Sequence, residues 1–260
     1  MKLTVVQWHP SFGDCDRNWG RMEEFSDGSD SDVIVFPELF SSGYMFESAD
    51  EIRPHADGIG RLERLAAISR RDGKLIVGGF AELNGGTLYD SAFALSEGDV
   101  RIYRKIHLWA RETQLFTPGK ESLIVRYRGT GFGIEICYDL QFPELGRLLA
   151  LNGADVILCP MAWAEEATYR DRNTPPFVHL AIAQAFSSGV FTAIANRVGN
   201  ERGAAFEGHS GIADPYGNFS GLGGAEGILS ADIDPADVQG AKRPSAFNDL
   251  EKDRKLRISL

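Results

Sequence analysis

Three short stretches of this sequence end in side chains that can carry acyl chemistry. Val33-Ile34-Val35-Phe36-Pro37-Glu38 is an apolar run stopped by a proline, with a carboxylate next. Arg101-Ile102-Tyr103-Arg104-Lys105 closes a strand-like run on an ammonium group, and Gly133-Ile134-Glu135-Ile136-Cys137 runs into a thiol before Phe142-Pro143-Glu144 opens a helix. A thiol is a poor nucleophile at its free pKa of about 8.5, and a nearby cation or a helix N-terminus lowers that value. Lys105 and the helix after Cys137 are the groups expected to do so. A carboxylate can take the thiol proton and later activate water, and an ammonium can hold the oxyanion formed when a carbonyl carbon is attacked. Glutamate, lysine and cysteine therefore suffice for acyl transfer to water, with no metal and no cofactor. Each residue alone also has a plainer reading. A strand-end cysteine is often a small buried apolar residue, a Pro-Glu pair a turn, and a lysine after an arginine solvated surface. Spacing alone does not bring the three together.

Their positioning depends on the elements around them. β-branched runs predict strands at Leu3–Trp8, Asp32–Phe36, Lys74–Phe80, Ser91–Leu95, Val100–Arg104, Ser122–Tyr127, Thr130–Cys137, Asp155–Cys159, Phe191–Asn196, Gly208–Ala213 and Gly227–Asp232. Helical spacing and stop signals predict helices at Asn18–Ser26, Gly60–Asp72, Pro143–Gly153 and Pro175–Gly189. Strands interleaved with helices indicate α/β layering, with some antiparallel pairing across Ser91–Arg104. In α/β sheets ligands bind at the carboxyl ends of strands, which is where Glu38, Lys105 and Cys137 fall. Strand alternation places Glu135 on the face of Cys137, toward the pocket or an arginine beneath it.

Length and composition narrow the function classes. The 260 residues fit one large α/β domain, read as a single unit over 1–260 with 241–260 as a C-terminal extension. Apolar residues make up 43% and charged residues 25%, enough for a core without staples. A net charge of −10 disfavours nucleic acid or an anionic membrane as the main partner. Cys15, Cys137 and Cys159 form neither a disulfide framework nor a metal-ligand pattern. No apolar run reaches a membrane span and the N-terminus lacks a signal-peptide pattern, so a cytoplasmic location is expected by exclusion.

Phe36-Pro37-Glu38, Tyr103-Arg104-Lys105-Ile106-His107-Leu108 and Ile136-Cys137-Tyr138-Asp139 with Phe142-Pro143-Glu144 resemble, in order and spacing, the glutamate, lysine and cysteine motifs of the carbon–nitrogen hydrolase (nitrilase-like) superfamily. Gln7, Phe116-Thr117-Pro118-Gly119, Gly153-Ala154-Asp155, Pro160, Trp163, Ala195-Asn196-Arg197-Val198-Gly199, Ser210 and Asp214-Pro215-Tyr216-Gly217 extend the likeness over roughly residues 3 to 235. The resemblance implies a four-layer α-β-β-α sandwich that pairs into a homodimer or larger homo-oligomer. It also implies that Glu38 is the general base, Cys137 the nucleophile and Lys105 the stabiliser of the tetrahedral intermediate. Glu112 would orient the lysine or the substrate, although an exposed loop charge is its plainer reading. The Tyr138 N–H would be a second oxyanion donor, and Trp163 a pocket wall or a cap on the core. Cys137-Tyr138-Asp139 looks like the amidase branches, where true nitrilases more often show Cys-Trp-Glu. The expected reaction is cleavage of a small carboxamide to carboxylate and ammonia through a thioester, ω-amidase chemistry included. An N-carbamoyl amine hydrolase, a nitrilase, a histidine-dependent thiol hydrolase and a non-catalytic binding protein are the alternatives. Substrate choice is expected to lie in the loops Ser41–Phe46, Thr113–Phe116 and Trp163–Pro176.

Overall fold

Strands β1 (Lys2–Gln7) and β2 (Val33–Val35) are buried on both faces, which a strand meets only inside a layered structure. Leu3, Val5, Val33 and Val35 point one way, into a core shared with a second sheet. Val6 and Ile34 point the other way, against helices. The computed structural model describes residues 1–165 and 174–254. Its first sheet adds β3 (Leu75–Asn84), β4 (Thr87–Ser96) and β5 (Asp99–Arg104). The second is built from β6 (Leu123–Tyr127), β7 (Thr130–Ile134), β8 (Val156–Met161) and β9 (Phe191–Asn196). A small hairpin of β10 (Val198–Glu201) and β11 (Ala204–Glu207) stands apart. The strands β12 (Gly211–Ala213), β13 (Phe219–Gly221) and β14 (Gly227–Asp232) return to the two edges. The sheet orders are β14-β1-β2-β3-β4-β5 and β13-β12-β9-β8-β7-β6. Each has a parallel central triplet, β1-β2-β3 in one and β7-β8-β9 in the other.

Helices close both outer faces. On the first sheet lie α1 (Cys15–Gly28), started by an Asp14 side chain that caps Arg17 N, and α3 (Glu63–Asp72), stopped by Gly73 in the left-handed region. Between them the one-turn α2 (Ala49–Ile52) lies over the loop after Glu38, and α4 (Glu112–Leu115) is a similar single turn. On the second sheet lie α5 (Pro143–Leu151) and α6 (Pro176–Ser188), with α7 (Ala236–Lys242) near the end of the chain. Leu65 and Ile68 of α3 pack with Ile76 and Phe93, and Leu145 and Leu149 of α5 pack with Ile157 and Val190. Burying each such side chain stabilises the layering by about 1.5–3 kcal/mol. The result is an α-β-β-α sandwich, as the resemblance implied.

Three strands, β10, β11 and β13, were not expected. Val198-Gly199-Asn200-Glu201 lacks β-branched alternation, and its pairing with β11 is set by a turn in which Arg202 and Gly203 both have positive φ. The strand expected to reach Cys137 stops at Ile134. Residue 137 sits at φ 45°, which no strand can contain. The expected Trp163–Pro176 loop lies partly outside the described residues, as do residues 255–260 of the extension.

Candidate active site

Glu38 is delivered by an abrupt stop. Phe36 N still bonds Val77 O, Pro37 has no N–H to continue the ladder, and Glu38 N donates instead to Met161 O of the facing sheet at 3.3 Å. The turn lies directly on β3. A Cβ on Gly79 would stand 2.4 Å from Glu38 Cα, so only glycine permits this approach. The Glu38 side chain is fully buried.

Lys105 leaves β5 held at both ends of its peptide unit, its N–H on Asp90 O at 2.9 Å and its carbonyl accepting from Gly119 N at 2.8 Å. Its Nζ donates to Glu38 Oε1 at 2.6 Å and to Glu112 at 2.7–2.8 Å, and Asp90 Oδ2 lies 3.4 Å away. Burial opposes the ammonium charge, but Glu112, Glu38 and Asp90 outweigh it and hold the lysine well above its usual range. Glu112 is buried rather than an exposed loop charge. It also accepts the Trp109 N–H at 2.8 Å and the Tyr44 hydroxyl. Among the described residues, Glu38, Asp90 and Glu112 form the cluster of carboxylates dense enough to hold a metal ion, and the Lys105 ammonium already occupies the cation position between them.

Cys137 sits where β7 has ended and a 3-10 turn, Cys137–Gln141, begins. Its φ of 45° is strained for a side chain other than glycine, a cost of about 1–3 kcal/mol that recurs where a nucleophile must be thrust out of a sheet. Asp139 sustains the turn by accepting from Ile136 N at 3.0 Å, His107 N at 2.9 Å, His107 Nδ1 at 2.8 Å and the Tyr103 hydroxyl at 2.7 Å. The electrostatics run against the lowering of the thiol pKa expected from sequence. Burial and the Glu38 charge push the Cys137 thiol well up, and Lys105 with the Ala162 N–H only partly offsets them. The helix terminus invoked from sequence is also displaced, because α5 starts at Pro143, after the 3-10 turn.

Cys137 opens into a cavity of about 230 Å³ walled by Tyr44, Met45, Trp109, Tyr138, Trp163 and Glu165, among others. Tyr138 and Trp163 are thus brought to the same cavity, with Trp163 also packed on Phe177 at 5.3 Å between ring centroids. Glu135 goes elsewhere. The backbone reversal at Cys137 breaks the strand alternation, and Glu135 points to the helical side, where Gln184 of α6 donates to it at 3.1 Å. Among the described residues no arginine pairs with it, and it is not part of the cavity wall. Burial there pushes its carboxyl up to about 8. Cys159 is fully buried, and none of the five histidines lines the described cavity wall, which removes the geometric basis for a histidine base. Tyr44, Asp90 and Asp139 were not assigned roles from sequence. Asp139 stood inside the cysteine motif, and that adjacency was its only signal.

A two-sheet α/β scaffold with buried carboxylates, an ammonium and a thiol at converging strand ends defines the class of hydrolase site that the comparisons with known proteins identify. The chain belongs to the carbon-nitrogen hydrolase family, whose model matches residues 2–243. It is 36% identical to a nitrilase of Pyrococcus abyssi, covering 98% of this chain and 97% of the relative. It is 32% identical to an (R)-stereoselective amidase of a Pseudomonas species, covering 100% and 93%. Among solved structures, a variant of the amidase from Nesterenkonia sp. AN1 superposes with a TM-score of 0.77 at 25% identity, covering 92% of this chain and 95% of that one. In that structure acrylamide has added to the active-site cysteine.

Proposed function

We propose that the protein hydrolyses small carboxamides, with Cys137 as nucleophile, Glu38 as general base and acid, Lys105 as oxyanion stabiliser and Glu112 as the group that orients Lys105. The observation that carries this reading is Lys105 Nζ, held 2.6 Å from Glu38 and 2.7 Å from Glu112 beside the cavity that Cys137 lines. A resting thiol next to a carboxylate loses its proton to Glu38 as sulfur attacks the carbonyl carbon. Lys105 and the Tyr138 N–H hold the developing oxyanion. Collapse breaks the C–N bond, and the proton on Glu38 leaves with ammonia. Water then gives its proton to Glu38 and attacks the thioester. The second intermediate expels Cys137, which recovers the proton, and the carboxylic acid is released.

The aromatic walls of Tyr44, Trp109, Tyr138 and Trp163 suit a small acyl group with an apolar body. The nitrilase from Pyrococcus abyssi keeps nitriles as the second reading, with N-carbamoyl amines and ω-amides as further amide classes to screen. The test is kcat/KM for an amide and a nitrile that share one carbon skeleton. The amide is expected to be the better substrate, and a nitrile faster by tenfold or more would replace this reading. Two copies are proposed to pair through the outer helices, since Leu148, Leu151 and Phe186 are 43–62% exposed there. Val178 of α6 faces the core instead, and Ile182 packs partly against it.

A further inference from the structure

Asp90 is a buried carboxyl that this mechanism does not use. It lies on β4, 1% exposed, and neither of its oxygens receives a hydrogen bond. Glu38 Oε2 is likewise without a donor. One carboxylate oxygen from each of Glu38, Asp90 and Glu112 lies within 4.8 Å of the other two, so the Asp90 carboxyl faces the Glu38 charge at close range. Three ionised carboxylates around one ammonium would leave two uncompensated negative charges in a dry site, which like-charge repulsion and burial both oppose.

A single proton halves the excess charge and supplies the missing donor, and the contacts say where it resides. Burial, and then the Glu38 charge, push the Glu112 carboxyl up as well, but its anion is met by Lys105, the Trp109 N–H and the Tyr44 hydroxyl, contacts that Asp90 lacks. Glu38 has Lys105 Nζ at 2.6 Å. Asp90 has only a 3.4 Å approach to that ammonium. We propose that Asp90 is held protonated and serves as a positioning residue for Glu38, its carboxyl O–H donating to Glu38 Oε2. Burial, then the charge of Glu38, pushes the Asp90 carboxyl well above the usual range, while Lys105 pulls it down and Glu112 pushes it up. The neutral acid keeps Glu38 ionised, fixes the rotation of its carboxylate and leaves Oε1 on Lys105. The proposal rests on the reading of Glu38 as the base, and it gives Asp90 no contact with substrate.

Asparagine reproduces a protonated aspartate in shape and retains a donor, whereas alanine removes it. Asp90→Ala is expected to lower kcat on the order of a hundredfold, as misplacement of a reacting group does, with KM little changed. Asp90→Asn is expected to recover most of that loss. Infrared spectra of the intact wild-type protein should contain the carbonyl band of a buried carboxylic acid that Asp90→Asn deletes. No such band lost, together with Asp90→Asn as damaging as Asp90→Ala, would mean an ionised partner of Lys105 and overturn the proposal. If Asp90→Ala does not fold, the infrared comparison decides alone. Full activity in Glu38→Gln would instead remove the base assignment, while the band still reports the protonation of Asp90.

Discussion

The Tyr103 hydroxyl donates to Asp139 Oδ2 at 2.7 Å, joining a side chain two residues before Lys105 to one two residues after Cys137. With His107 N and Ile136 N on the same carboxylate, the lysine-bearing and cysteine-bearing segments are fastened across the two sheets. Asp139→Ala strands these donors, each at a cost of about 1–3 kcal/mol when buried. Tyr103→Phe removes one hydrogen bond, worth about 1 kcal/mol. Thermal melts should rank the variants in that order, with kcat falling far more in Asp139→Ala. Equal melting temperatures and equal turnover would show that the fastening does not matter.

Cys137→Ala should abolish amide turnover with the fold intact, because it removes the proposed nucleophile and little volume. Glu38→Gln and Lys105→Ala should each lose on the order of a thousandfold in kcat, and the double variant little more than either, since members of one catalytic unit fail together. Single-turnover assays on the four proteins check this. Near-wild-type rates in any single variant would dissolve the triad.

A small haloacetamide should modify Cys137 before Cys15 or Cys159. Cys159 has no exposure and Cys15 lies outside the cavity, whereas Cys137 lines it beside Glu38, which can take the thiol proton as an amide-shaped reagent binds. Because burial and Glu38 hold the Cys137 thiol up, its labelling should accelerate as pH rises through the alkaline range. Peptide mapping against pH tests both statements, and a pH-independent rate from neutrality upward would indicate a resting thiolate.

Glu135 should make stability depend on pH without touching catalysis directly. Its folded pKa of about 8 lies above the ordinary carboxyl value of 4.5, so the folded state binds the extra proton between those values. That contribution is complete below 4.5 and is lost as pH rises through about 8, with a maximum slope of about 1.4 kcal/mol per pH unit. Glu135→Gln, which can keep the contact with Gln184, should therefore raise Tm at pH 9 more than at pH 5. An equal shift at both pH values would place the titration elsewhere.

Light scattering should return at least twice the mass of one chain. Replacing the exposed Leu151 and Phe186 with glutamate should shift the equilibrium toward the monomer, because charges would be buried in an apolar contact. A wild-type protein that stays monomeric across a wide concentration range would contradict the pairing.

Glu38, Lys105 and Cys137 stood out in the sequence as candidates because each ends a strand-like run, and strand ends are where an α/β sheet exposes its ligands. The layered class was legible for a related reason. Runs such as Val33-Ile34-Val35 are apolar on both faces and require cover on both. What the tertiary structure alone decided is how charges meet. Asp90 and Glu112 lie 15 residues before and 7 after Lys105, and only the pairing of β4 with β5 and the α4 turn bring both carboxylates to its ammonium. That Glu135 and Cys137 face opposite ways turned on one backbone angle at Cys137, which no period-two pattern contains. Local pattern reports the face a residue presents within its own element. Ionisation is set by the groups that arrive from other elements, and their distances exist only once the chain has folded.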